Sequence, residues 1–382
     1  MKYKRFILGL GTLSLMVLLL SGCFSGPETE TIVIPGIEEV STDDQGTRPF
    51  QVKKIYRLPD GFTSAGRLLG WSSSSSVVAS FKNMSLPGRM MLKRLNYPYE
   101  KSEQIPGIHP DDSEVMLSPD GKHISEISMS AAETTLKLIS LPDGKASEVA
   151  KFRMRDQLFL QDVAWSSNSK YLAYLVIDPS QNGSDSLRLY NIGTQTSRIY
   201  QLKDFPKGER DTLLSINVSD DGRGVLFTVY PYDQPGRTYM MMGTVAGSDI
   251  ELQYKHQIGR EENAWITNDQ FVFLGTDGTL YEYDRRNSEL SVLLEKVGSF
   301  AFSHDKKSIA YSLHDQDIIY AGKMQGKNIL YNEPVYHGIL PTEMYWSPDN
   351  SSLLIHGQKL FSPSQVTHTD STDRQSFIIE FQ

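Results

Sequence analysis

Leu117-Ser118-Pro119-Asp120-Gly121 and Trp346-Ser347-Pro348-Asp349-Asn350 are two copies of one phrase: an apolar residue, a serine, a turn, then a strand of alternating apolar residues. Drifted forms stand at Trp71-Ser72, Trp165-Ser166-Ser167-Asn168, Val218-Ser219-Asp220-Asp221-Gly222, Ile266-Thr267-Asn268-Asp269 and Phe302-Ser303-His304-Asp305. The phrase has a physical reason. Pro presets the second position of a tight turn, Asp or Asn tolerates the next, and Gly or a small polar residue closes it.

With the Ser or Thr as ruler, positions 72, 118, 166, 219, 267, 303 and 347 lie 46, 48, 53, 48, 36 and 44 residues apart. That is the length of a four-stranded propeller blade. The phrase joins strands one and two of each blade, and strand two follows as Lys170–Leu175, Gly224–Val229, Ser308–Tyr311 and Ser352–Ile355. Third strands are expected at Leu136–Ser140, Leu187–Tyr190, Tyr239–Gly243 and Leu280–Tyr283. Short alternating runs of Tyr, Phe, Val and Ile, broken by Gly, Pro, Asp and Asn, read as all-β. The expected fold is a seven-bladed β-propeller over residues 50–382.

The Ser-Pro-Asp-Gly phrases resemble the TolB-like or WD40-like propeller repeats of exported bacterial proteins, and the resemblance runs from Phe50 to Gln382. The Gly-His and Trp-Asp marks of eukaryotic WD40 repeats are missing. The segment ahead of the repeats is too short for the α/β domain that precedes the propeller of TolB, so TolB function is not carried over.

The ring has to close. After the seventh phrase one strand remains, Phe377–Phe381, which leaves the last blade a strand short. A spare strand at Phe50–Leu58, followed by a turn at Pro59-Asp60-Gly61, is expected to complete it and cover an exposed edge.

The first residues place Lys2, Lys4 and Arg5 before an uncharged apolar run from Phe6 to Leu20. Fifteen helical residues reach about 22 Å against a hydrocarbon core of roughly 30 Å, which suits a signal peptide better than a permanent span. Leu20-Ser21-Gly22-Cys23 resembles a bacterial lipobox. The resemblance implies cleavage before Cys23 and lipidation of its thiol, including a fatty acyl chain such as palmitate. Residues 1–22 are therefore expected to be a lipoprotein signal peptide and 23–49 a lipidated tether. The protein is expected on the extracytoplasmic face of the cell membrane. Cys23 is the only cysteine, so no disulfide supports the domain.

Loss of residues 1–22 removes three basic side chains and no acid, leaving 35 basic against 46 acidic groups and a formal charge of −11. Such a body repels phosphate backbones, which argues against a nucleic-acid partner.

In an up-and-down blade the one-to-two and three-to-four turns share one end, and the two-to-three and interblade connections share the other. The tight phrases mark the first end. The long connections, Lys82–Arg89, Tyr99–Ser113, Asp178–Ser186, Leu202–Asp211, Pro231–Arg237 and Gly357–Gln375, mark the second, which is the candidate binding face. Within it Tyr230, Tyr232, Arg237 and Tyr239 bracket the longest blade's insertion, in the aromatic-plus-Arg composition of interface anchors. Tyr230 and Tyr239 also fit as strand residues packed between blades. Met240-Met241-Met242 alternate faces on a strand and fit core filling better than metal ligation. His109-Pro110-Asp111-Asp112 and His304-Asp305 fit turns. No His-Glu-x-x-His, Gly-x-Ser-x-Gly or phosphate-binding loop occurs, so no catalytic residue, metal or cofactor is expected. The expected function is a monomeric scaffold that binds another protein of the cell envelope. The alternatives are a hydrolase or lyase with a site in the channel and a small-ligand or glycan sensor.

Overall fold

Each phrase sits where the sequence places it, at the hairpin between the innermost strand of a meander and its neighbour. The computed structural model describes residues 48–382 apart from 64–65, 87, 107, 109, 111–113, 181–184, 203–210 and 360–373. The signal peptide, Cys23 and the tether as far as residue 47 lie outside the described residues, as do His109, Asp111 and Asp112.

Strand β1 (Val52–Arg57) and a one-turn helix α1 (Asp60–Thr63) come first. Sheet A is β2 (Gly66–Ser73), β3 (Ser76–Lys82), β4 (Met90–Asn96) and β5 (Ser102–Gln104). Sheet B is β6 (Val115–Leu117), β7 (His123–Met129), β8 (Glu133–Ser140) and β9 (Ala146–Arg153). Sheet C opens with β10 (Phe159–Trp165), β11 (Tyr171–Ile177), β12 (Ser186–Asn191) and β13 (Thr196–Gln201). It continues with β14 (Thr212–Val218), β15 (Gly224–Tyr230), β16 (Thr238–Ala246) and β17 (Asp249–Ile258). Sheet D is β18 (Asn263–Trp265), β19 (Gln270–Leu274), β20 (Leu280–Asp284) and β21 (Glu289–Leu294). Sheet E is β22 (Val297–Phe302), β23 (Ser308–Leu313), β24 (Ile318–Gln325) and β25 (Asn328–His337). Sheet F is β26 (Leu340–Trp346), β27 (Ser352–Gln358) and β28 (Arg374–Phe381), with β1 on its outer edge.

The expected seven-bladed count is corrected by this topology. Five blades stand as separate four-stranded sheets, and the eight strands of the two meanders that contain the Ser166 and Ser219 phrases form a single sheet, ordered β10-β11-β12-β13-β17-β16-β15-β14. Its two meanders meet in one parallel pair, Gln201 with Asp249, where the Gln201 N–H donates to the Ser248 carbonyl at 3.1 Å. The ten-residue β17 starts at a turn with Gly247 at φ +65°, far enough out to reach the edge of β13. Phrases count inner hairpins and carry no information on whether outer edges fuse.

The innermost strands pack side by side around a channel: β2 on β6, β10 on β14, β14 on β18, β22 on β26, and β26 back on β2. Apolar clusters fill the gaps between neighbouring sheets, such as Val78, Leu92 and Ile124 between A and B, or Val272, Leu280 and Ile309 between D and E. The three methionines are core: Met241 joins the cluster on one face of sheet C, Met240 and Met242 the cluster on the other.

The expected closure by the N-terminal strand is present. β1 pairs antiparallel with β28, Ile55 opposite Ile379 and Arg57 opposite Phe377. Just ahead of it Phe50 is 3% exposed, with ring centroids 6.1 Å from Trp346 and 5.6 Å from Phe381. Two local expectations are corrected. Pro59-Asp60-Gly61 starts α1 rather than a simple turn, because buried Phe62 is carried back onto Phe81 with centroids 5.5 Å apart. The connection expected over Tyr99–Ser113 contains β5, a short polar edge strand without the apolar alternation that marks the others.

Candidate functional site

The turn end is a ring of interlocked hydrogen bonds. In five phrases the serine Oγ donates to the carboxylate or amide oxygen two residues on: Ser118 to Asp120, Ser166 to Asn168, Ser219 to Asp221, Ser303 to Asp305 and Ser347 to Asp349, at 2.6–2.8 Å. The same Oγ accepts the N–H five residues on, for example Gly224 N–H to Ser219 Oγ at 2.8 Å. Successive turns are then stitched together. The Asp120 N–H donates to Ser169 Oγ, the Asn168 N–H to Asp220 Oδ1, the Asp221 N–H to Asn268 Oδ1, and the His304 N–H to Asn350 Oδ1. The acids of this end are thus committed to backbone N–H groups. Gly121, at φ +72°, has no room for a side chain, since an added Cβ would stand 2.5 Å from the Ser72 backbone of the neighbouring sheet.

The phrase tryptophans lock sheets pairwise. Trp71 Nε1 donates to the Tyr345 carbonyl, Trp165 Nε1 to Ser125 Oγ and Trp346 Nε1 to the Ala301 carbonyl, each on the preceding sheet.

Along the channel wall, β-bulges interrupt the innermost strands between Leu160 and Asp162, Leu213 and Ser215, Val297 and Ser299, and Pro341 and Glu343. Each bulge falls five residues before the serine of its phrase. The residue that follows it is polar every time: Asp162, Ser215, Ser299 and Glu343. Asp162 Oδ2 accepts the Ile216 N–H at 2.7 Å across the gap between β10 and β14. Burial, helped by the negative charges of Glu114 and Glu261, pushes its carboxyl up to about 6 despite that bond. Tyr345 Oη donates to Glu343 Oε2 at 3.2 Å. Among the described residues, no three His, Cys, Asp or Glu side chains stand close enough to share a metal ion.

A cavity of about 250 Å³ lies at the turn end of this channel, lined by Leu69, Leu117, Ser167, Lys306, Met344 and Tyr345 among others. Lys306 reaches from the sheet E turn across the channel, its Nζ donating to Ser167 Oγ of sheet C at 3.2 Å. Burial holds this ammonium below the usual lysine value. His304 beside it engages the Trp346 carbonyl through Nε2 at 3.0 Å, and burial lowers its pKa also.

At the opposite end the four residues singled out by sequence divide into two pairs. Tyr230 Oη accepts the Gly236 N–H at 3.1 Å, and Tyr239 Oη donates to Gln234 Oε1 at 2.9 Å, so the two strand tyrosines brace the insertion. Lys255 Nζ covers the Tyr239 ring at 4.5 Å. Tyr232 and Arg237 point outward, Tyr232 being 62% exposed with its N–H on Asp211 Oδ1. The same end carries other exposed apolar side chains. Met84 and Leu86 stand in the β3–β4 loop, Met129 at the end of β7 and Phe159 at the start of β10.

The fold is a WD40-like β-propeller. No family model and no curated protein sequence matches this chain. Solved structures do. An oligogalacturonate lyase from Vibrio parahaemolyticus superposes with a TM-score of 0.56 at 13% identity, over 92% of this chain and 96% of that one. The WD40 repeats of RRP9 give 0.54 at 12%, over 87% and 99%. The propeller domain of the Trilobed protease from Pyrococcus furiosus gives 0.53 at 10%, over 83% and 95%. At such identities the likeness is one of fold.

Lys306, Asp162 and the exposed Met84, Leu86, Met129 and Phe159 on the loop-rich end were not singled out by sequence. One signal for Lys306 was available. Three residues after the phrase serine stand Gly121, Ser169, Gly222 and Asn350, and a lysine takes that place only once among these five phrases.

Proposed function

We propose that this protein is a lipid-anchored scaffold on the extracytoplasmic side of the cell membrane, which uses its loop-rich face to hold another protein of the envelope. The observation that carries the reading is where large apolar side chains meet solvent. Met84, Leu86, Met129, Phe159 and Tyr232 all lie on the loop-rich end, spread over sheets A, B and C. The other exposed apolar residues are dispersed, mainly on outer strands, as with Leu290 and Val292 on β21. Apolar groups gathered on one face of a rigid body, with an aromatic and an arginine among them, are the composition of a protein contact. Lipid on Cys23 would hold the body at the membrane, since acyl chains contribute about 0.8 kcal/mol for each buried methylene. Because β1 starts at the turn end, with Val52 opposite Phe381, the loop-rich face lies at the end away from the tether.

The test is photo-crosslinking in intact cells, with a photoreactive residue at Phe159, at Tyr232 or at Val292. A discrete adduct from the first two and none from Val292 supports the reading. Equal capture from all three, or none, removes it. Cys23→Ser separately tests the anchor: the variant should be unprocessed or soluble, and equal partition of both forms into the aqueous phase would refute lipidation.

A further inference from the structure

The residue three after the phrase serine adopts the left-handed conformation in five phrases: Gly121 at φ +72°, Ser169 at +60°, Gly222 at +71°, Lys306 at +60° and Asn350 at +61°. Gly and Asn take this conformation readily, whereas a long side chain is strained there. The turn would form as well, and at lower cost, with glycine. What the lysine adds is an ammonium aimed into the cavity at the turn end of the channel. Its side-chain hydrogen-bond partner is the neutral Ser167 Oγ, and among the described residues no carboxylate lies within ion-pair distance of Nζ. A charge so placed suffers desolvation that the carboxylate of Asp220 offsets only in part, and an anion beside it would restore the balance. A left-handed backbone together with a half-buried charge that has no ion-pair partner, at one position facing a cavity, is the pattern of a binding site rather than of a structural turn.

The walls specify the rest of the ligand. Leu69, Leu117 and Met344 are apolar, Tyr345 adds an aromatic ring, and the edge of His304 is fixed by its bond to the Trp346 carbonyl. Taking about 30 Å³ for each water-sized group, the cavity holds about eight. We propose that the turn-end cavity binds a small organic carboxylate, its anionic head on Lys306 Nζ and Ser167 Oγ and its apolar body against Leu69, Leu117 and Met344. The site lies at the opposite end from the loop-rich face and stands independently of the scaffold reading.

Benzoate has the right size and charge, and benzyl alcohol is its neutral counterpart. Calorimetric and ligand-observed NMR titrations of the purified protein should show saturable benzoate binding, with benzyl alcohol at least tenfold weaker. Lys306→Gly and Lys306→Asn should each weaken benzoate at least tenfold while the Tm stays level or rises, because both residues accept the left-handed turn. Benzoate that does not saturate the wild-type protein, or binds both variants as well as wild type, overturns the proposal. So does equal affinity for benzyl alcohol. A lower Tm in both variants with benzoate binding unchanged would make Lys306 a brace across the channel, again against the proposal.

Discussion

At the turn end, Ser118, Ser166, Ser219, Ser303 and Ser347 repeat one hydrogen-bond pattern, and neighbouring turns donate to each other. At the loop-rich end the connections vary in length and in composition, and large apolar side chains meet water. The same strands feed both ends. Repetition therefore marks where the chain is locked to itself, and departure from repetition marks where it is free to meet something else. Lys306 obeys the same rule inside the locked end: it is the departure within a repeated turn.

The largest effect should come from cutting the seam between first and last sheets. Removal of residues 24–49 should leave the melt unchanged, whereas removal through Leu58 takes away Phe50, Ile55, Tyr56 and Leu58, each at most 5% exposed. At about 2 kcal/mol per buried side chain the loss is roughly 8 kcal/mol, as much as a typical domain's whole stability. Aggregation should accompany it, since the edge of β28 is uncovered. Thermal melts of both truncations decide this, and two unchanged melts would show that β1 does not hold the ring.

A smaller effect is expected within the channel wall. An unfolded aspartate titrates near 3.9 and folded Asp162 at about 6, so the folded chain holds that proton more tightly. The contribution of this group is fully present below about pH 4 and is lost as pH rises through about 6, on the order of 2–3 kcal/mol. Asp162→Asn retains an acceptor for the Ile216 N–H and should flatten the fall in stability between those limits. Urea midpoints at pH 4 and pH 7 for both proteins measure it.

Next comes the lock itself. Ser219→Ala strands the buried Gly224 N–H and leaves the Asp221 carboxylate with the Arg223 N–H alone, and should lower stability by about 1–3 kcal/mol in urea melts. Least of all, Tyr232→Ala with Arg237→Ala should change stability by less than about 0.5 kcal/mol while abolishing capture of the partner. If the loop pair proved as costly as Ser219→Ala, the contrast between the two ends would fail.

What could be read from sequence follows the same division. The phrases were legible because one turn chemistry recurs at a nearly fixed period, and the closing strand because an unfinished blade at one terminus matched a spare strand at the other. The bulges five residues before four of the phrases were not, since Gln161, Leu214, Gly298 and Thr342 share no residue type and a bulge is a property of register. The fused edge of sheet C rests on a single residue pair, Gln201 with Asp249, which no periodicity announces. Asp162 looked like any strand residue because its environment is assembled from β10 and β14, with Glu114 and Glu261 contributed by more distant segments.

The pairing of β1 with β28 also sets a clock on the chain's birth. Lys53 and Glu380 meet at 2.6 Å although 327 positions separate them. A ribosome releases β1 well before its partner β28, and at roughly 10 residues per second the wait is about half a minute. Throughout that interval the leading strand has no native mate, and any product that stops early can never acquire one. The ring thus has a built-in check: only a polypeptide translated through β28 can pair that strand with β1.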